Sequence, residues 1–351
     1  VSVVYLKNLR RSIGTFDFLA FIEILLLFFK EKPDIIDTHA SKAGFLGRLA
    51  GLLYKFFGNY SVRQIHTFHG HTFSGYFNRA KSGLFLFLEK LLTRFATDKI
   101  IVVSEQQRHD LLEKYCLGSK KKFQVVPLGI ELNKKRSRKG EFRKSFGLAH
   151  NTVLVAQIGR LTQIKNPEMF IEAVHEVLKR KPFLSAHFFI IGDGEKKEDL
   201  EERVRELKLE KRITFTGFIE DMEKVYPDLD VLALTSKNEG TPMTIIESMY
   251  HETAIISTEV GGIPDLLFRR WKKKKGQWTL ANSRHPRGVL VKSMDPVEFS
   301  LKLEELIENQ DLRKTFGKRG KEFVQRYHSK KRLLRDMEEI YRSMVLETGF
   351  N

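Results

Sequence analysis

The amino-acid sequence predicts an α/β protein with two domains, each built on a parallel, doubly wound β-sheet. The chain has 351 residues, which is more than one hydrophobic core usually serves. In its second half, short apolar runs rich in β-branched residues alternate with segments of helical periodicity, and the first half repeats this alternation less completely. Strands that alternate with helices form parallel sheets through right-handed crossovers. We therefore expect one such sheet in each half.

The first half begins with an apolar segment, which is followed by alternating strand and helix patterns. The segment at residues 16–29 contains Asp17 and Glu23 and is shorter than the ~20 residues that cross a bilayer, so we expect a buried helix there. Further helices are expected at 43–57 and 82–96. The predicted strands are "DIIDTH" (34–39), "VRQIHTFHG" (62–70), "KIIVVS" (99–104) and "FQVVPLG" (123–129).

The second half has a more regular pattern of strands. The predicted strands are "TVLVAQIG" (152–159), "AHFFIIG" (186–192), "RITFTG" (212–217), "VLALTS" (231–236), "AIISTE" (254–259) and "GVLV" (288–291). In a doubly wound sheet the carboxyl ends of the parallel strands lie at one edge, and ligands bind there. The residues that follow each strand are therefore the candidates for a binding site.

These residues suit a nucleoside diphosphate that carries a sugar. Gly159, Arg160 and Lys165 follow the first of these strands. The next four strands are followed by "GDGE" (192–195), "GF" (217–218), "NEGTP" (238–242) and "VGGIPD" (260–265). Cations and glycine turns bind phosphate groups, whereas carboxylates accept hydrogen bonds from sugar hydroxyls. Both kinds of group are expected at one edge of the sheet.

Two glutamates, Glu239 and Glu247, flank a Gly-Thr-Pro turn in the stretch "SKNEGTPMTIIES". Thr241 is expected to be the N-cap of a helix and Pro242 its first residue, because proline lacks the N–H that has no partner there. Glu239 then lies in the preceding loop and Glu247 in the second turn. A helix N-terminus attracts an anion or the oxygens of a polar ligand. The open alternative is that both glutamates are solvated acids near a helix start.

Histidines cluster near the end of the second predicted strand. His69 and His71 share one face of the extended segment and His66 lies on the other, which argues against one shared metal ion. One functional histidine at the carboxyl end of the strand is the favoured interpretation. His39, which ends the preceding strand, is either a second functional residue or a hydrogen-bonded core histidine.

The composition restricts the partners and the compartment. The formal net charge is +17, which favours polyanionic partners, either nucleic acid or an anionic membrane surface. No zinc-finger spacing, RNP-like strand or P-loop is present, so nucleic acid is disfavoured and a membrane surface is preferred. The single cysteine, Cys116, is compatible with a reducing cytoplasm and provides no metal-thiolate cluster.

A set of motifs in a fixed order resembles glycosyltransferase family 4. The motifs are "THASKAGFLGRLAG", "HTFHGHTFSGYF", "VVSEQQRHDL", "VPLGIE", "IGRLTQIKNPEMFIEA", "IIGDGE", "EGTPMTIIESM" and "STEVGGIPDLL". The resemblance covers nearly the whole chain and is closest to the bacterial branch that builds surface polysaccharides. It implies the GT-B fold, in which two Rossmann-like domains face each other across a cleft. It also implies a retaining transferase that needs no divalent metal.

The resemblance implies roles for individual residues. Glu239 would bind the hydroxyls of the transferred sugar, and Glu247 would hold the ribose of the nucleotide. His69 matches the active-site histidine of the first domain. Arg160 and Lys165 match the pair that neutralises the diphosphate. The remaining candidates are Gly240 and Thr241 for the diphosphate, Gly192, Gly217 and Phe218 for the nucleotide, and His39, Gly261 and Gly262 as possible further site residues.

The expected domains are an acceptor-side domain at 1–135, a donor-binding domain at 140–322 and a final helix, 323–351, that returns to the first domain. "NKKRSRKG" (133–140) is interpreted as the linker between the first two. The opening strand and glycine-rich loop of the family are absent, so we expect ~60 to 70 residues to precede the first residue, at about 30 per strand–helix–strand unit.

Two further segments are open to a second interpretation. Asp228-Leu229-Asp230 resembles the metal-binding motif of another glycosyltransferase fold, but it leads directly into a predicted strand and is interpreted as a turn. The basic insertion 268–286 is expected to be a solvated loop. Its alternative is a contact with an anionic membrane through Lys272–Lys275 and the flanking Trp271 and Trp278.

The predicted reaction moves a hexose or N-acetylhexosamine from a nucleoside diphosphate, with UDP favoured, to a lipid-linked or growing glycan. The expected location is the cytoplasm, with peripheral binding at the inner face of the plasma membrane. Two alternatives remain at this stage: an epimerase of the same fold that acts on UDP-N-acetylglucosamine, and a non-catalytic protein that binds sugar nucleotides.

Overall fold

The protein is described here by a computed structural model that covers residues 2–10, 14–58, 61–70, 79–132, 139–274, 277–292 and 294–346. The chain divides into two compact units. Unit 1 contains Val1–Pro127, Lys273–Thr279 and Leu333–Asn351, and unit 2 contains Leu128–Lys272 and Leu280–Arg332. Of the predicted linker, only Lys139 and Gly140 are among the described residues. His71 lies outside the described residues.

The strands and helices are numbered in chain order. The strands are β1 (Ile35–His39), β2 (Arg63–Phe68), β3 (Lys99–Val102), β4 (Phe123–Val125), β5 (Val153–Ile158), β6 (Ala186–Ile191), β7 (Ile213–Gly217), β8 (Val231–Leu234), β9 (Ala254–Thr258), β10 (Arg269–Lys274), β11 (Gln277–Asn282) and β12 (Val289–Val291). The helices are α1 (Phe16–Glu31), α2 (Ser41–Phe57), α3 (Arg79–Phe95), α4 (Glu105–His109), α5 (Glu141–Ser145), α6 (Pro167–Arg180), α7 (Lys197–Glu206), α8 (Met243–Tyr250), α9 (Ile263–Leu267), α10 (Pro296–Glu308), α11 (Gln310–Tyr327) and α12 (Lys330–Leu346).

Unit 1 is built on a four-stranded parallel sheet in the order β1-β2-β3-β4. Its strands are among those that the sequence predicts. The residues of α12 from Leu333 onward belong to this unit, where Ile340 and Met344 pack with Ile65 and Ile101 of the sheet. The Tyr341 hydroxyl also donates a hydrogen bond to the Asp37 carboxylate of β1 at 2.7 Å.

Helix α1 differs from the buried helix that the sequence predicts. Ala20 and Ile24 are buried against α2, but Phe18 and Leu26 on the opposite side are 68% and 63% exposed. The prediction was wrong because the segment is apolar on more than one face, and such a pattern does not say which face has a partner. Within the described residues, none of the helices combines the length and the apolar character that a membrane crossing requires.

Unit 2 contains a six-stranded parallel sheet in the order β12-β9-β8-β5-β6-β7. Its first strand, β5, therefore lies at the centre, with β6 and β7 added on one side and β8, β9 and β12 on the other. The strand order reverses between β5 and β8, and this arrangement is the Rossmann-like order with its topological switch point. All residues of β5, β8 and β9 are buried, as expected for parallel strands that are covered on both faces.

Unit 2 extends beyond the predicted donor domain at both ends. The Leu128 carbonyl accepts hydrogen bonds from His328 Nδ1 at 2.8 Å and from Arg332 at 3.0 Å. Ile130 forms an isolated parallel bridge with Ser329. These contacts bind the segment before residue 140 and the segment after residue 322 to each other within the same unit.

Two segments with open interpretations have defined structure. Asp228 and Asp230 lie before β8, where their carboxylates accept hydrogen bonds from Arg143 of α5 and from the Leu154 N–H. They therefore serve to attach α5 to the sheet. The basic insertion is not the predicted loop, because β10 and β11 form a two-stranded sheet. The alternating threonine and apolar residues of "QWTLAN" support a strand, which the adjacent lysine run obscured.

Candidate active site

The switch point of unit 2 brings two oppositely charged predicted residues together. Lys165 lies in the loop after β5 and Glu239 in the loop after β8, and these strands are neighbours in the sheet. Lys165 Nζ is 2.6 Å from Glu239 Oε1. The Glu239 side chain is 8% exposed, and that of Lys165 is 30% exposed. The pair thus has a buried acceptor and a cation that reaches solvent.

Glu239 is held by further contacts of its loop. Ser236 Oγ–H donates to Glu239 Oε1 at 2.7 Å. The Gly262 N–H donates to the Gly240 carbonyl at 2.7 Å, which attaches the loop after β9 to the loop after β8. Gly261 has φ +53°, and a Cβ at this position would clash with the Glu239 carbonyl oxygen. Gly261 and Gly262 therefore pack directly against the backbone of the loop that carries Glu239.

Helix α8 begins one residue later than the sequence predicts. Its N-cap is Pro242, with ψ of 119°, so Thr241 is neither the N-cap nor exposed. The prediction was wrong because Pro242 keeps an extended ψ and cannot be the first helical residue. Glu247 nevertheless lies in the second turn, as expected.

Glu247 is half-buried and has a tyrosine partner. The Tyr226 hydroxyl donates to Glu247 Oε2 at 2.7 Å. Tyr226 is 1% exposed, and burial, followed by the negative charge of Glu247, raises the pKa of its hydroxyl. The His251 ring stacks on Tyr226 with centroids 5.6 Å apart. Neither Tyr226 nor Ser236 was among the predicted site residues, although Ser236 is the first residue of the stretch "SKNEGTPMTIIES".

The glycines at the carboxyl ends of β6 and β7 allow the adjoining loops to approach closely. Gly192 has φ +140°, and a Cβ there would clash with the Gly159 carbonyl. The Gly192 N–H donates to the Gly217 carbonyl at 2.9 Å. Phe218 follows with 76% of its surface exposed, and Arg160 is also exposed. At the carboxyl ends of these strands, the exposed ring of Phe218 and the exposed guanidinium of Arg160 therefore lie beside closely packed backbone.

In unit 1, His39 and His69 form a pair. His39 Nδ1 and His69 Nε2 are 2.9 Å apart, and the rings are stacked with centroids 5.1 Å apart. Burial lowers the pKa of His69, and a positive charge on His39 would lower it further. His66 is separate: it is buried against Thr38, and burial lowers its pKa to about 2. The described residues contain no group of three or more His, Cys, Asp or Glu side chains placed to hold a metal ion.

Fold and site together define the class of protein: an α/β protein whose second unit gathers cationic, acidic and glycine residues where such sheets bind nucleotides. Comparison with known families then identifies it. Residues 138–323 match the family described as glycosyl transferases group 1, and residues 1–134 match glycosyltransferase family 4. The chain belongs to the glycosyl transferases group 1 family, and it is a glycosyltransferase, as the motifs predicted.

Two bacterial relatives illustrate the similarity. The chain is 30% identical over 267 residues to the UDP-Gal:alpha-D-GlcNAc-diphosphoundecaprenol alpha-1,3-galactosyltransferase of Escherichia coli, covering 75% of this chain and 67% of that enzyme. It is 23% identical to the capsular polysaccharide biosynthesis glycosyltransferase CapM of Staphylococcus aureus, covering 99% of this chain and 86% of CapM.

Solved structures show the same fold. The crystal structure of Anabaena Alr3699/HepE in complex with UDP matches with a TM-score of 0.75 and 17% identity, over 93% of this chain and 82% of that one. Sucrose-phosphate synthase from Thermosynechococcus elongatus also matches with a TM-score of 0.75, at 20% identity, over 94% of this chain and 79% of the synthase. The predicted GT-B fold class is confirmed.

Proposed function

We propose that this glycosyltransferase moves a hexose or N-acetylhexosamine from UDP to a lipid-linked or growing glycan, with retention of configuration. The observation that carries the proposal is the contact between Lys165 and Glu239 at the switch point. This contact places a cation that can bind a diphosphate beside a carboxylate that can accept hydrogen bonds from sugar hydroxyls. The Escherichia coli relative is named for a UDP-sugar and a diphosphoundecaprenol acceptor, and HepE was crystallised with UDP, which supports both parts.

The leaving diphosphate is assigned to Lys165, Arg160 and the backbone of Gly240 and Thr241. A lysine ammonium has three N–H donors, and one of those of Lys165 is used on Glu239. The other two remain for phosphate oxygens, and the exposed Arg160 can add a second charge. Fixed cations stabilise the negative charge that develops as the bond to the sugar breaks.

The sugar and the nucleoside are assigned to the two glutamates and the adjoining glycine loops. Glu239 accepts hydrogen bonds from the transferred sugar, beside the diphosphate that Lys165 binds. Glu247 accepts hydrogen bonds from the ribose hydroxyls through the oxygen that Tyr226 does not occupy. The closely packed Gly192 and Gly217 let the nucleoside approach the backbone, and the exposed ring of Phe218 offers a surface on which a base can stack.

The acceptor is assigned to unit 1. His69 is the residue proposed to contact the reacting groups, and His39 holds its ring through the contact of 2.9 Å. Burial lowers the pKa of His69, which favours the neutral imidazole, and the unprotonated ring nitrogen of that form can accept a proton. This assignment is tested by His69→Ala, which should reduce transfer while leaving UDP affinity unchanged.

The reaction is proposed to need no divalent metal, because Lys165, Arg160 and the backbone N–H groups supply the positive charge that a metal ion would otherwise bring. Transfer assayed with and without EDTA tests this directly. Equal rates are expected, and a rate that EDTA abolishes and Mg²⁺ or Mn²⁺ restores would contradict the proposal.

Calorimetry with UDP, GDP and ADP tests the donor assignment. UDP should bind, and Lys165→Ala should weaken its binding by about 10-fold or more, because hydrogen bonds to charged groups contribute about 1.5 to 3 kcal/mol. Lys179→Ala is a matched control, since Lys179 also pairs with a glutamate, Glu176 at 3.0 Å, on the surface of α6. UDP that fails to bind would overturn the donor site.

Product analysis distinguishes transfer from the alternatives. Release of UDP that requires a glycan acceptor supports the transferase. Epimerisation of UDP-N-acetylglucosamine without an acceptor would indicate the epimerase, and UDP-sugar binding without either reaction would indicate a binding protein.

We further propose cytoplasmic location with peripheral binding to anionic membranes. The net charge of +17 and the exposed Lys272 of the two-stranded insertion support it, since a basic residue near such a surface contributes about 1 kcal/mol. Lys275 lies outside the described residues, as do the side chains of Trp271 and Trp278. Co-sedimentation with phosphatidylglycerol vesicles should fall with salt and should be weak with phosphatidylcholine alone. Vesicle binding that changes with neither lipid charge nor salt concentration would contradict an electrostatic mechanism.

A further inference from the structure

Glu247 is held from a part of the chain that no motif connects with it. Tyr226 lies in a short 3-10 turn, Tyr226–Asp228, between β7 and β8, and its hydroxyl donates to Glu247 Oε2 at 2.7 Å. Its side chain is almost fully buried. A glutamate on a helix can adopt several rotamers, and a fixed donor selects among them. The contact therefore restricts both the position of the carboxylate and the direction of its second oxygen.

The tyrosine ring is itself held in place. His251, the C-cap of α8, stacks on the Tyr226 ring at an interplanar angle of 25°. On its other side His251 Nε2 lies 3.2 Å from Glu223 Oε2. The Tyr226 ring therefore cannot swing away from Glu247 without disturbing α8. Because burial and the charge of Glu247 raise the pKa of the hydroxyl, Tyr226 remains a hydrogen-bond donor throughout the physiological pH range.

We propose that Tyr226 is a positioning residue for the donor nucleotide, which directs the free oxygen of Glu247 toward the ribose and so makes binding depend on the ribose hydroxyls. The inference rests on the proposed function, in which Glu247 accepts hydrogen bonds from the ribose. Tyr226 itself does not contact the substrate. Tyr226 orients the Glu247 carboxylate before the nucleotide binds. The Glu247 side chain therefore loses less conformational entropy on binding.

Tyr226→Phe removes the hydroxyl and keeps the buried ring, so it tests this role directly. We expect the variant to raise the Kd for UDP and the KM for the UDP-sugar by about 10-fold, with kcat nearly unchanged. The Kd for 2′,3′-dideoxy-UDP should be unchanged, since that ligand has no ribose hydroxyls for Glu247 to bind. A role in packing alone would weaken both ligands equally.

Tyr250→Phe is the matched control. Tyr250 lies in the same helix as Glu247, is also buried and donates its hydroxyl to the Leu132 carbonyl. The control variant loses a buried tyrosine hydroxyl without touching Glu247, and its UDP affinity should equal that of the wild type. If Tyr226→Phe does not fold, His251→Leu is the second variant, because it loosens the tyrosine ring and should show the same dependence on ribose hydroxyls to a smaller extent.

Glu247→Ala, measured in parallel, separates this inference from the proposed function. If Glu247→Ala leaves UDP affinity unchanged, Glu247 does not bind the ribose and the proposed function is wrong at this point. If Glu247→Ala weakens UDP but Tyr226→Phe does not, or if Tyr226→Phe weakens UDP and dideoxy-UDP alike, the positioning role alone is overturned.

Discussion

Glu239 and Glu247 differ in their partners, and this difference predicts different effects of removing each. Glu239 contacts Lys165, whereas Glu247 contacts Tyr226. Glu239→Ala frees Lys165 for the diphosphate, so UDP affinity should be kept while turnover falls by about 100-fold or more. Glu247→Ala should instead weaken UDP by about 10- to 100-fold. Steady-state kinetics and calorimetry measure both, and equal effects on UDP affinity would contradict this division.

A buried histidine predicts how stability depends on pH. His328 Nδ1–H donates to the Leu128 carbonyl, and Nε2 is buried without a hydrogen-bond partner among the described residues. Burial lowers the pKa of His328 to about 3, against about 6.5 in an unfolded chain. Between these values only the unfolded state binds the proton. The free energy of unfolding should therefore fall as pH decreases, by about 1.4 kcal/mol per pH unit for this residue.

Urea unfolding of His328→Asn between pH 5 and 6.5 tests the pH prediction. Asparagine keeps an N–H donor for Leu128 but does not titrate. The fall in unfolding free energy per pH unit should therefore be smaller in the variant, by up to about 1.4 kcal/mol at the acid end of this range, which is the contribution of one proton. His66, with a pKa lowered to about 2, should contribute a similar slope that remains in the variant. An unchanged slope would show that His328 is already protonated in the folded protein.

At the scale of residues, the sequence identified those that directly follow a strand. Lys165, Glu239 and Glu247 could be found because the carboxyl edge of a parallel sheet is where loops converge. Tyr226 could not be found, since it precedes β8 at the opposite end of the strand and only its side chain reaches the site. Its partner lies 21 residues away, and no local pattern predicts such a contact.

At the scale of elements, the loop after β9 supports the loop that carries Glu239, and Gly261→Ala tests this support. The substitution adds backbone strain at φ +53° and a clash with the Glu239 carbonyl. Gly147→Ala is the control: Gly147 has φ +63° but nothing within 4 Å of a Cβ. Both variants should lose about 1 kcal/mol of stability from the backbone strain, and Gly261→Ala should lose more because of its clash. Only Gly261→Ala should lose most of its transfer activity, and equal activities would show that the support is dispensable.

Strands were easier to predict than the surroundings of helices. The buried strands of unit 2 are continuous apolar runs, so their positions could be predicted. The exposed side of α1 could not, because exposure depends on what packs against the helix and not on its own composition. The start of α8 differed because ψ of Pro242, which the proline ring does not fix, is extended.

At the scale of the whole molecule, each proposed donor contact lies in unit 2. Adding UDP to the full chain should therefore slow amide exchange at 159–165 and 236–248 and leave strands β1–β4 unchanged. At a hundred times Kd, UDP should also stabilise the protein by about 2.7 kcal/mol. Hydrogen-exchange mass spectrometry measures the first effect. Protection that appears mainly in unit 1 would place the nucleotide elsewhere.

The fold class and the family followed from the order of motifs along the chain, since the order determines which loops meet at the sheet edge. The limits of the two compact units could not be predicted from the order of the motifs. Unit 1 combines segments from both ends of the sequence, and the first and last segments of unit 2 contact each other, as Leu128 and His328 do. Such contacts depend on tertiary packing, which has no local signature.

The pairing of Lys165 with Glu239 also bears on how the protein is synthesised. The two residues are 74 positions apart, and β6 and β7 are translated between them. A nascent chain that has released only β5, β6 and β7 from the ribosome contains Arg160 and Lys165 but lacks Gly240, Thr241 and both glutamates. UDP should therefore be retained only after β8 has paired with β5 and the loop that follows β8 has emerged, so UDP retention by stalled ribosome–chain complexes of increasing length would report when β8 joins the sheet.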